Sequence, residues 1–186
     1  MKTMAKGRII GIFLVISLLC LTPAMADEEL ATGAAAASGG AGASADLDFE
    51  INIPSFIYFR VGAGAAVETV TFSPSAADVA AQNPQGPTAV QVRLISNVGD
   101  VRITEATGGA LTDGGVNTIS YGTIATTFAT INAPVLSDGA NNFVDIASAG
   151  GIINLTDNWN YTFTPPATPP VGGTYTGTVT YTAAVP

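Results

Sequence analysis

From residue 47 to the C-terminus the chain switches repeatedly between two-residue alternation and turn formers, and this rhythm limits the fold more than any other feature. Leu47, Phe49, Ile51 and Ile53 alternate with Asp48, Glu50 and Asn52. On a strand that arrangement puts four apolar side chains on one face, with two carboxylates and an amide on the other. Pro54 then interrupts the ladder, as prolines do at edges and bulges. Near the other end Tyr175, Gly177, Val179, Tyr181, Ala183 and Val185 share a face, and Thr176, Thr178, Thr180 and Thr182 share its opposite. Between these runs lies Phe56–Val61, apolar at nearly every position. Further strand-like segments follow at 67–72, 89–97, 100–104, 118–124, 142–147 and 158–164. They are punctuated by Val98-Gly99, Gly108-Gly109, Gly114-Gly115, Asp138-Gly139, Gly150-Gly151, Pro165-Pro166 and Pro169-Pro170, which are turn residues. Short strands broken by turns at such intervals, with no βαβ spacing, predict an antiparallel sandwich or barrel. Residues 75–82 predict a turn or two of helix, a crossover between sheets.

The N-terminal segment has a different character. Lys2, Lys6 and Arg8 precede an apolar run from Ile9 to Leu21, followed by Pro23 and Ala24-Met25-Ala26. A positive region, an apolar stretch and a small-x-small site, in that order, predict a cleavable signal peptide over 1–26. A retained anchor is the competing reading, but a spanning helix needs roughly 20 residues and this run is shorter. Acylation at Cys20 is a second alternative, and the Ser17-Leu18-Leu19 before it lacks the small neighbour such sites carry. The expected destination is extracytoplasmic: periplasm, cell surface or medium. Residues 27–45, rich in Ala and Gly, read as a flexible tether, with a fraying helix at 28–37 as the alternative. The folded domain is expected over 46–186.

Removing the leader changes the available chemistry. Every lysine and the single cysteine lie within it, and histidine is absent throughout. Arg60, Arg93 and Arg102 remain against fourteen acidic residues, so the net charge moves from −8 to −11. A polyanion of this kind repels nucleic acid and anionic lipid, so neither nucleic-acid binding nor membrane insertion of the mature chain is expected. Without His, Cys or Lys, the usual Ser-His-Asp, Cys-His and Ser-Lys machinery cannot be assembled, nor can the common zinc and copper ligand sets. Carboxylate chemistry survives on residue types alone. Asp48 and Glu50 at i, i+2 would lie roughly 7 Å apart on a strand, within the separation of inverting glycosidases, but the solvated face of an amphipathic strand explains them more simply. Asp138, Asn141, Asn142 and Asp145 bring four oxygen-bearing side chains into one short loop, as hard cations require. The spacing is not that of an EF-hand, and a plain hairpin loop is preferred. Trp159, Tyr161 and Phe163 alternate: outward they would form a sugar platform, inward they would be core, and the core reading is favoured. The sequons at Asn154 and Asn160 matter only in a glycosylating host. No catalytic, cofactor-binding or metal site is therefore expected, and no cofactor.

The closing run Gly172-Gly173-Thr174-Tyr175-Thr176-Gly177-Thr178-Val179-Thr180-Tyr181-Thr182 resembles the last strand of bacterial surface β-sandwich families. These are the spore-coat-U and pilin-type subunits of chaperone–usher systems and the WxL surface domains. The turn at Ser96–Asp100 and the stretches Gly109–Leu111 and Ile119–Tyr121 are similar in kind. The chain departs from both groups: only Trp159-Asn160-Tyr161 approaches a Trp-x-Leu motif, and the pilin disulfide is missing. The resemblance implies an all-β, immunoglobulin-like Greek-key sandwich of about 7–10 strands in an envelope or extracellular structural protein. It carries no functional residues across. The expected function is that of a secreted or cell-surface structural or adhesive protein, a fibre or matrix subunit without enzymatic activity; the alternative is a carbohydrate-binding sandwich. Expected partners are further copies of the chain, envelope or matrix proteins, or a glycan. Leu47–Ile53, behind its tether, has the pattern of a strand that could complete a neighbour's sheet.

Overall fold

In a computed structural model of the protein, residues 43–64, 66–139 and 141–186 are described. The expected leader, Cys20, the 28–37 helix and most of the tether lie outside them. The described part of the first compact unit, residues 43–52, has no regular secondary structure and exposed side chains.

The second unit, Ile53–Pro186, is an antiparallel β-sandwich. One sheet has four strands in the order β1 (Ile57–Val61), β2 (Gln85–Ser96), β8 (Ile153–Phe163), β6 (Ile124–Thr127). The other has three, in the order β7 (Phe143–Ile146), β3 (Val101–Thr107), β9 (Val179–Ala184). A two-stranded ribbon of β4 (Leu111–Thr112) and β5 (Thr118–Ile119) lies between β3 and β6 in sequence. Helix α1 (Ala76–Ala81) lies in the connection from β1 to β2, neighbours in one sheet, and so is not the crossover between sheets that the sequence predicts. It starts at Ser75 because Ser75 Oγ accepts from the Asp78 N–H while the Asp78 carboxylate accepts from Ser75, a reciprocal capping box.

The spine is the β2–β8 pair, in register from Thr88↔Tyr161 to Ser96↔Ile153. Alternation along it sorts the side chains. Val90, Val92, Leu94, Ile153, Trp159 and Tyr161 face the core, where they meet Val101, Ile103 and Ile146 of the other sheet. Two aromatic contacts join the layers: the rings of Trp159 and Tyr181 meet edge-on at 4.9 Å, and the hydroxyls of Tyr161 and Tyr181 lie 3.1 Å apart. Burial holds the protons of both phenols well above the usual tyrosine range. β2 starts earlier than the sequence predicts, through a bulge at Gly86-Pro87. Gly86 is required there: its φ is +110°, and a Cβ would lie 2.7 Å from the Tyr161 carbonyl oxygen.

Besides β2, five predicted strands come out differently, and one of them, β8, begins at Ile153 rather than at 158. Leu47–Ile53 forms no strand. Residues 67–72 are also irregular, although Val70 and Phe72 pack on the core and Phe72 meets Phe163 at 5.7 Å. The segment predicted over 118–124 divides into β5, a 3-10 turn at Tyr121–Thr123 and the start of β6. The C-terminal strand is shortened to Val179–Ala184, with Thr176 retaining an isolated bridge to Thr112.

Candidate functional site

The two open sides of the sandwich are finished differently. On one side, the connection from β6 to β7 crosses between the sheets and buries Ile131, Ala133 and Leu136. It is pinned from β8. Asp157 points inward, and its Oδ2 accepts three successive backbone N–H bonds, from Ala129 (3.0 Å), Thr130 (2.6 Å) and Ile131 (2.8 Å). The Trp159 indole N–H donates to the Ile131 carbonyl at 2.7 Å. Burial pushes the Asp157 carboxyl up, but the four backbone donors around it, Asn158 included, outweigh that and hold its pKa at about 2.

On the opposite side the two sheets draw together, with Cα atoms of β1 and β9 within 8 Å of each other. There β1 is the edge of one sheet and β9 the edge of the other, and each has a partner on one side alone among the described strands. Their inward residues, Ile57, Phe59 and Val61 on β1 and Val179, Tyr181 and Ala183 on β9, pack against the core yet remain only half-buried. The start of β1 is stapled by Asn97, whose Oδ1 accepts from Phe56 N–H at 2.8 Å and whose Nδ2 donates to the Pro54 carbonyl at 2.9 Å. Immediately before this staple come Leu47, Phe49, Ile51 and Ile53, with 71–85% of their surface exposed.

The outer face of the four-stranded sheet is a second distinctive surface. Register sets Tyr58, Ile95 and Asn154 in one row across the strands, and Arg60, Arg93 and Thr156 in the next. Arg60 Nη2 donates to Gln91 Oε1 at 3.0 Å. Arg93 donates to Thr156 Oγ1 at 2.7 Å and to Asn154 Oδ1 at 3.3 Å. Arg102, on the other sheet, is held differently: a bidentate pair with Asp145 at 2.7 and 2.9 Å, its guanidinium 4.0 Å from the Phe143 ring centre. That pairing keeps the Asp145 carboxyl below its usual range.

The residues singled out from sequence fall as follows. Trp159 is fully buried and Tyr161 and Phe163 nearly so, so the core reading of the aromatic run holds. Asp48 and Glu50 lie in the irregular segment, exposed. Two surface hollows of about 450 and 320 Å³ have no carboxylate in their walls. In the candidate cation loop the two carboxylates are engaged in separate places and Asn142 is held through its amide nitrogen. Asp138 accepts from Tyr121 N–H, Asp145 pairs with Arg102, and the Asn142 amide donates to Glu105, Ser137 and the Val135 carbonyl. Among the described residues no three acidic, histidine or cysteine side chains converge. The Arg60–Arg93 pairing was beyond sequence reasoning because it depends on the β1–β2 register. No protein-family model matches the chain, and no curated protein is significantly similar to it.

Proposed function

We propose that the protein is an exported, non-enzymatic structural subunit that assembles with copies of itself, Leu47–Ile53 of one copy adding to the unpaired edge of β1 or β9 in the next. The observation that carries this reading is the exposure of four alternating apolar side chains directly ahead of β1. Burying one such side chain is worth about 1.5–3 kcal/mol, so a row of four left in water is a strong drive toward association. The edges of β1 and β9 offer what that row needs: half-buried apolar residues close by and, on each strand, one edge without a hydrogen-bonded neighbour among the described strands. In this arrangement Asp48 and Glu50 stay outward and keep the assembly soluble. The predicted leader agrees with an extracytoplasmic place of assembly.

The test is the size of the mature chain. Oligomer ladders that resist SDS, and that vanish when residues 27–53 are deleted, are the expected result. A strict monomer at high concentration, or ladders unchanged by the deletion, would overturn the proposal.

A further inference from the structure

We infer that the outer face of the β1–β2–β8–β6 sheet is a binding surface for an acidic polysaccharide, with Arg60 and Arg93 receiving its carboxylates. The argument starts from a local cost. Arg60 and Arg93 stand directly opposite each other on neighbouring strands, and like charges in that position destabilise a sheet. Nothing on the face offsets them. No strand position there carries a carboxylate, and among the described residues the only ion pair is Arg102 with Asp145, on the other sheet. Glu68, near the end of β1, is turned to the backbone, accepting from Ala63 N–H at 3.3 Å. The fold has thus left these two arginines with neutral partners.

Those partners hold the guanidiniums in place without cancelling their charge. Gln91 fixes Arg60, and Thr156 and Asn154 fix Arg93. Arg60 Nε is buried and has no acceptor, so the guanidinium meets the surface through its Nη atoms. Two oriented forks side by side match carboxylate geometry. Around them the face is made of Asn158, Asn160, Thr127 and Thr162, amides and hydroxyls that exchange hydrogen bonds readily with sugar hydroxyls, and Tyr58 adds a ring that is 43% exposed. A protein partner would look for clustered aromatic anchors, which are lacking on this face. A nucleic-acid backbone is held by several phosphate contacts at once, and two arginines set among amides and hydroxyls supply too few. At physiological salt the remaining acids act only over about 8 Å, so they do not cancel a local Arg pair.

Binding of the mature chain to polygalacturonate at physiological salt tests this, with fully methyl-esterified polygalacturonate and duplex DNA as controls. The wild-type protein is expected to bind the free acid and neither control. Arg60→Gln with Arg93→Gln is expected to weaken binding by at least about tenfold with an unchanged or higher melting temperature. Thr156→Asp places a carboxylate beside Arg93 while keeping both arginines, and is expected to abolish binding too. Arg102→Gln is expected to bind as wild type. The inference is overturned if the wild type ignores the polyuronate, if ester or DNA binds equally well, if Thr156→Asp binds unchanged, or if Arg102→Gln loses as much as the double variant. None of these outcomes depends on self-assembly.

Discussion

Asp157 shows how much one inward-facing acid can organise. It occupies a core-side position of β8, in register with the fully buried Val92, where an aliphatic residue would be expected. In exchange it satisfies three consecutive amides of a loop that has no strand to pair with. Its folded pKa of about 2 lies below the ordinary aspartate value of 3.8. The stabilisation is therefore fully present above about pH 4 and is lost as the pH falls toward 2. Water reaches the carboxylate, so the contribution is discounted to about 1 kcal/mol. Asp157→Asn is expected to lower stability by that amount at neutral pH, and the gap between variant and wild type to close near pH 2. Urea unfolding across pH checks this; a gap independent of pH would mean that shape rather than charge holds the loop.

At the scale of elements, alternation was readable and pairing was not. The strands β1, β3 and β7 lie close to where period two and the turn pairs placed them, because each has one face in the core, whereas β2 and β8 begin four and five residues earlier than the alternation placed them. The same alternation at Leu47–Ile53 has no strand to show for it, since a pattern says which face seeks burial and is silent about what will bury it. Residues 67–72 pack Val70 and Phe72 inward without a ladder for the same reason. Asn97 reads as a turn residue in sequence, yet its side chain also fixes the chain at Pro54 and Phe56, far away in sequence and adjacent in space. Asn97→Ala removes two hydrogen bonds across that junction, each worth about 1 kcal/mol. It is expected to lower the melting temperature by several degrees and to loosen the entry to β1. Limited proteolysis should then cut near Phe56 first; an unchanged cleavage pattern would show that β1 holds without its staple.

For the whole molecule, the unequal sides of the sandwich set a gradient of local stability. The β2–β8 pair faces the core along its length, flanked by β1 over Val92–Ser96 and by β6 over Asn160–Phe163, and its most protected amides are those that bond between β2 and β8. These are expected to exchange with solvent only on global unfolding. The β6–β7 side is tied down by Asp157 and Trp159 and should follow closely. Edge strands β1 and β9 each have one hydrogen-bonded neighbour among the described strands, and alternate amides on β9 point away from β3. In the monomer these should be among the fastest exchanging strand amides. Assembly by strand completion would pair them, so they should slow sharply in the oligomer while β2 and β8 change little. A chain lacking residues 27–53 should keep the fast pattern at every concentration. If β9 is instead as protected as β8 in the monomer, the β1–β9 side is already closed, and both the acceptor and the self-assembly built on it fall together.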